Sequence, residues 1–292
     1  MTATRLEKIN VGILVTAQTL FMIASITVMT LSGVVGQQLT PNPALATLPI
    51  AMMMIGTVAS TLPASLYMKR VGRRAGFITG VSLGGVAGGL VSFLAIVLEA
   101  FWLFCAGNLL LGLYQGFAMY YRFAAADVSS PSFRSRAISY VMAGGVVAAF
   151  LGPWNASVAA DWIVAVPSGG PYLVIALLAT VAIGLLAFLR VPGSGEPRPG
   201  DLQRPMPRIA AQPAFLVAVR AGAVGYAVMI LVMTATPLAM RAQGFGMSHV
   251  ATIMQWHVLG MFAPSFVTGS LIARIGVTHV LLAGTGLLAG SV

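Results

Sequence analysis

His257 is the side chain here best suited to carry a proton, because imidazole is the one group that ordinarily titrates near neutral pH. It lies about ten residues into a long apolar run, beside Gln255 and Trp256. Together these three offer hydrogen bonds and an aromatic face to a planar solute. A second polar set could line a cavity: Gln18 and Ser25 in the first apolar run, and Asn108, Tyr114 and Gln115 in the fourth. Ionisable groups within hydrocarbon are costly and mark function by default, yet Glu99, Asp127 and Asp161 all fall near the ends of their runs. His249, His257 and His279 have no acids at metal-ligand spacing, so no metal is expected. No serine or cysteine has a visible base, and the single Cys105 permits no disulfide. Enzymatic chemistry and a bound cofactor are therefore not expected.

The elements holding these side chains belong in a bilayer. Of 292 residues, 58% are hydrophobic and 8% charged, against about 25% charged in soluble domains. A helix rising 1.5 Å per residue needs about 20 apolar residues to cross hydrocarbon. The breaks predict helices near 9–36, 44–67, 75–98, 101–121, 137–160, 170–190, 213–238 and 247–272, with a ninth beginning at Val277. The chain is thus an all-α membrane protein, and it reads as cut off after the eighth or ninth span. Its first run follows Arg5 and Lys8 as a signal peptide would, but it is too long and has no clear small-residue cleavage site.

A net charge of +10 raises the question of nucleic acid; the basic residues instead flank the spans. Fifteen of the sixteen lie on one side, and Arg241 alone lies on the other. Basic loops stay in the cytoplasm. The expectation is a cell (inner) membrane protein with its amino terminus inside and no affinity for nucleic acid. Trp102 and Trp162 fall at outer span ends, where aromatic anchors sit. Gly80, Gly84 and Gly88 share one helix face, as close helix packing requires.

The stretch 191–212 carries five prolines and four of the arginines if Arg190 is counted with it, and a polar proline-rich segment neither spans nor packs. It divides the chain into a six-helix bundle at 1–190, a cytoplasmic linker at 191–212, and a partial second bundle at 213–292 holding spans 7, 8 and the start of 9. The division coincides with an internal match. Residues 65–72 (SLYMKRVG) and 269–276 (GSLIARIG) both read small-x-x-x-x-Arg-aliphatic-Gly at an offset of 204. Parallel repeats of six helices are one of the symmetries that build secondary transporters.

The loop 65–74 resembles the motif Gly-x-x-x-Asp-Arg-x-Gly-Arg-Arg of the major facilitator superfamily. It matches at Arg70, Gly72, Arg73 and Arg74, while Ser65 and Lys69 replace the glycine and the aspartate. The resemblance implies that this loop latches the two halves at the cytoplasmic face with an acid from the inner end of span 4, for which Asp127 is available. Arg274 and Gly276 would be the counterparts in the second half. In span 5, Gly152 and Pro153, with Ser139, Ala148, Ala156 and Ser157, resemble the family's antiporter motif. In span 4, Asn108 stands where the family often has a proton-coupling arginine.

The resemblance implies a monomeric secondary transporter whose bundles rock about a midplane site. Its expected action is proton-coupled efflux of a small drug-like or metabolite solute, with a proton gradient as the energy source and no cofactor. Two alternatives stay open: uptake or facilitated passage of a small nutrient such as a vitamin, and a truncated remnant that does not transport.

Overall fold

The computed structural model describes residues 4–131, 133–163, 166–191, 208, 210–264, 266–267, 271 and 274–290, and every regular element among them is helical. Helix α1 (Arg5–Leu39) starts at a reciprocal cap. The Thr4 hydroxyl accepts from the Glu7 N–H at 3.3 Å, and the Glu7 carboxylate accepts from the Thr4 N–H at 3.2 Å, which satisfies two donors that a helix start leaves free. A 3-10 turn (Pro43–Leu45) leads into α2 (Leu48–Val71). One span is built from α3 (Arg73–Gly80), a π-helical segment (Val81–Val86) and α4 (Ala87–Val97). The next joins α5 (Phe101–Ala118) to α6 (Tyr121–Asp127). Then come α7 (Arg134–Val158), α8 (Gly170–Leu186), α9 (Pro213–Ala242), α10 (Met247–Phe262) and α11 (Val277–Gly290).

Each of the eight expected spans contains a helix, and among the described residues six helical stretches are long and apolar enough to cross a membrane. Helix α8, at 17 residues, rises about 26 Å. The fourth span runs further than its apolar pattern suggests, because α6 carries it on to Asp127. The eighth is interrupted: α10 ends at Phe262, short of the expected 272. Most of the linker lies outside the described residues. The surface is apolar, with Val58 77% and Phe188 75% exposed, as a face toward lipid requires.

Small residues set the helix spacing. A Cβ on Gly112 of α5 would stand 2.0 Å from the Met53 carbonyl oxygen of α2, and one on Gly84 would stand 2.3 Å from the Tyr114 nitrogen. No side chain fits at either place, so backbones touch there. Two turns at the arginine-rich end, called here the basic end, share one geometry: Gly72 has φ +84° and Gly276 has φ +85°. Any residue with a Cβ is strained in that region. These are the two glycines related by the offset of 204.

Two hydrophobic cores stack along the membrane normal. The one toward the basic end is built by Leu14, Phe77, Tyr121 and Leu186 and draws on α1 to α8, the loops between them and the residues just after α8. The one toward the opposite end, called here the far end, includes Met53, Phe104 and Tyr172 together with Met233 of α9 and Val250, Met254 and Val258 of α10. Of the two cores, helices α9 and α10 contribute to the far one alone. The first half of α9, residues 213–227, is exposed throughout.

Candidate functional site

Near the midpoints of four spans, side chains from α1, α2, α5 and α9 converge. The Gln115 Nε2 donates to the Tyr226 hydroxyl at 3.3 Å, and that hydroxyl lies 3.8 Å from the Met54 sulfur. Gln115 also borders a narrow cleft with Phe21, Ser25, Met53 and Tyr114. The cleft holds about 10 Å³, room for roughly one water. Its polar supply is not spent: the Gln115 Oε1 is buried with no hydrogen-bond partner among the described residues, while the Tyr114 hydroxyl lies against that of Tyr121. The Tyr114 ring is fixed edge-on against Phe21, centroids 5.1 Å apart, and it meets the π-helical segment at Gly85, while its backbone packs on Gly84. A π turn is a frequent companion of functional sites; here it makes room for this ring.

A wider cavity of about 640 Å³ opens toward the basic end between α1 and α7, lined by Lys8, Thr16, Thr19, Phe133 and Tyr140 among others. Drug-sized ligands occupy cavities of about 300–1,000 Å³. At the far end Gly33 of α1 packs on Leu238 of α9, and nearer mid-span the place of a Cβ on Gly145 of α7 is taken by the Phe262 ring of α10 at 2.6 Å. The wider opening is thus at the basic end, while a smaller one of about 210 Å³ lies at the far end beside Gln37, Gln38 and Arg241.

The polar residues singled out in the sequence divide. Tyr114 and Gln115 border the cleft, and Gln18 lies two turns from Ser25 on the same face of α1 and is almost buried. Asn108 does not line it. Although it is two turns from Gln115 on one face, it sits at the level where the far end has closed, and it is fully buried. Its Nδ2 donates to the Phe104 carbonyl at 2.9 Å, while its Oδ1 accepts from the Ser32 hydroxyl at 2.9 Å. The Tyr172 hydroxyl completes this set at 2.8 Å from Ser32, so Asn108 ties three spans together. The trio 255–257 does not form one surface either. Successive helix residues point about 100° apart, and Trp256 stands on the face opposite Met254, 64% exposed. His257 flanks the buried stripe, its Nε2 buried and without a partner among the described residues.

At the basic end Arg73 pairs with Asp127. Both belong to the first six spans, so this pair joins α3 to α6 and does not join the two halves. Arg70, Arg74 and Arg274 are exposed, and none makes an ion pair among the described residues. In α7, Gly152 is packed against Ile26 of α1, where a Cβ would come within 2.7 Å. The Thr27 hydroxyl donates to the Gly152 carbonyl at 3.0 Å, and Asn155 donates to Thr27 at 3.2 Å. Gly152 and Pro153 therefore sit in a tight α1–α7 seam. Sequence reasoning missed Tyr226 and Phe21; the visible signal was a phenol near the centre of an otherwise apolar span.

The family model of the Major Facilitator Superfamily matches residues 13–292. The riboflavin transporter RfnT of Brucella anthropi is 40% identical over 293 residues, covering 100% of this chain and 73% of that protein. Two uncharacterised transporters of the same type from Bacillus subtilis, YdeG and YddS, are 28% and 25% identical. The chain covers 65% and 63% of their lengths. A model matching nearly the whole chain, a relative alike from end to end, and an all-helical array of apolar spans agree: the chain belongs to the major facilitator superfamily, a family of transporters and not of enzymes.

Proposed function

We propose that the protein takes up riboflavin or a closely related planar vitamin by alternating access, through the cleft around Gln115. The observation that carries this reading is the 40% identity to a riboflavin transporter across the whole chain. The site chemistry supports it. An isoalloxazine is flat, aromatic and neutral, and one edge presents an imide, with carbonyls on either side of an N–H. A carboxamide is complementary to such an edge, one donor and one acceptor side by side, and Gln115 has an acceptor to spare. Phe21, Tyr114 and Tyr226 supply rings. The four described carboxylates, Glu7, Glu99, Asp127 and Asp161, all lie toward span ends, which suits a solute without charge.

In this reading the basic end faces the cytoplasm and the protein is open inward. The cleft is too small for a vitamin until the halves shift, and solute binding drives that shift only through its greater affinity for one state. A second reading is efflux by exchange, favoured by Gly152 and Pro153 in α7. Accumulation of labelled riboflavin by cells that can neither make nor otherwise import it separates the two. Uptake well above an empty-vector control is expected, with Gln115→Leu raising KM about tenfold, the worth of one buried hydrogen bond. Lower accumulation than the control would establish efflux. No difference, with the protein present in the membrane, would end the flavin assignment.

A further inference from the structure

A cleft of about 380 Å³ opens at the basic end on the lipid-facing side, away from the proposed solute path. Its walls come from α1, α3 and the residues just after α8: Leu6, Ile9, Arg74, Ala187, Phe188 and Arg190. Two guanidinium groups share it without a counter-charge among the described residues. Asp127 is taken by Arg73, Glu7 is held by the Thr4 N–H and the Ser130 hydroxyl, and Glu99 and Asp161 lie at the other end of the spans. The site is also built. Asn10, 2% exposed, donates its Nδ2 to the Arg190 carbonyl at 2.7 Å and accepts the Arg190 N–H at 3.1 Å. That double bond fixes the end of α8 against α1 and so fixes where Arg190 stands.

We propose that this cleft binds the headgroup of an anionic phospholipid from the leaflet on the basic side. Planar guanidinium forks match phosphate oxygens, and basic pockets between spans at the membrane boundary hold anionic headgroups. The remaining wall explains why the ligand is a lipid and not a free anion. Leu6, Ile9 and Phe188 are 49%, 49% and 75% exposed, an apolar strip that continues from the cleft onto the face where acyl chains lie. A headgroup in the cleft would bridge α1, α3 and α8, the three elements around the place where the chain leaves the first six spans. The inference does not depend on which solute is carried.

The test is thermal unfolding of the full-length protein in nanodiscs of phosphatidylcholine, or of phosphatidylcholine mixed with phosphatidylglycerol. A ligand of the folded state raises the midpoint by mass action, so the mixed bilayer is expected to raise it by several degrees. Arg74→Gln with Arg190→Gln should lose at least half of that rise. Lys8→Gln with Arg136→Gln, which removes the same charge at the same membrane face, should keep it. The proposal is overturned if the first double variant keeps the full rise, or if both lose it equally, which would make the effect diffuse charge. It is also overturned if inorganic phosphate in pure phosphatidylcholine reproduces the rise. Should the glutamine variant fail to fold, Arg74→Lys with Arg190→Lys keeps the charge and loses the fork. Native mass spectrometry should then show it retaining several-fold less phosphatidylglycerol than the unaltered protein, and equal retention would refute the site.

Discussion

The two ends of the bundle solve the problem of holding helices together in opposite ways. At the far end, spans from both halves share one core, and polar groups of the first six spans form closed sets there: Ser32 with Asn108 and Tyr172, Thr27 with Asn155 and the Gly152 carbonyl. At the basic end only the first six spans share a core, and the polar links are fewer, partly exposed, and confined to that half. In lipid there is no hydrophobic drive between helices, so close packing and hydrogen bonds decide association. The far end has close packing between the halves in this state, and its hydrogen-bonded sets brace the first six spans beneath that contact. The basic-end core holds no residue of α9 or α10, which is why a cavity lies there and why the halves can part on that side.

The strongest way to break this contrast is to lock the sealed end. After Cys105→Ser, a short cleavable crosslinker joining Gly33→Cys to Leu238→Cys should abolish flux more than tenfold, and cleavage should restore it; the Cβ position on Gly33 is 3.6 Å from the Leu238 side chain. Undiminished flux would mean that this end never opens. A smaller effect separates the polar sets. Asn108→Leu removes the acceptor of the buried Ser32 hydroxyl and should cost about 2–3 kcal/mol in detergent unfolding, whereas Asn10→Ala, at the partly exposed end, should cost about 1 kcal/mol. The reverse order would place the tighter packing at the wrong end. The smallest effect belongs to Arg73 and Asp127, whose side chains are 23% and 48% exposed. A double-mutant cycle with Arg73→Gln and Asp127→Asn should give a coupling of about 0.2–1 kcal/mol that falls with salt. A coupling several times larger would show that the pair is a structural clasp after all.

The glycine turns sharpen the contrast in another way. Gly72 and Gly276 share a left-handed backbone, yet the residues that follow differ. Arg73 and Arg74 come after the first, Val277 and Thr278 after the second. The backbone device recurs at the offset while the charges do not, so the ion pair with Asp127 has no equivalent in the second turn.

Apolar run length, helix breaks and the stacking of arginines at alternate loops were enough to read an all-helical membrane array and a family motif, because those depend on what each segment prefers when it meets a bilayer. The Arg73–Asp127 contact was also in reach, since the two charges fall at neighbouring span ends. Which polar side chain faces a cleft was a different matter. Asn108 and Gln115 share a helix, a face and a chemical group, and nothing local separates them. One is enclosed because Ser32 and Tyr172 arrive at its level, and the other keeps a free oxygen because the packed seal stops short of it. The partners come from spans that are distant in the chain, so their meeting depends on how glycine-lined helices settle against one another, a property of the assembled bundle.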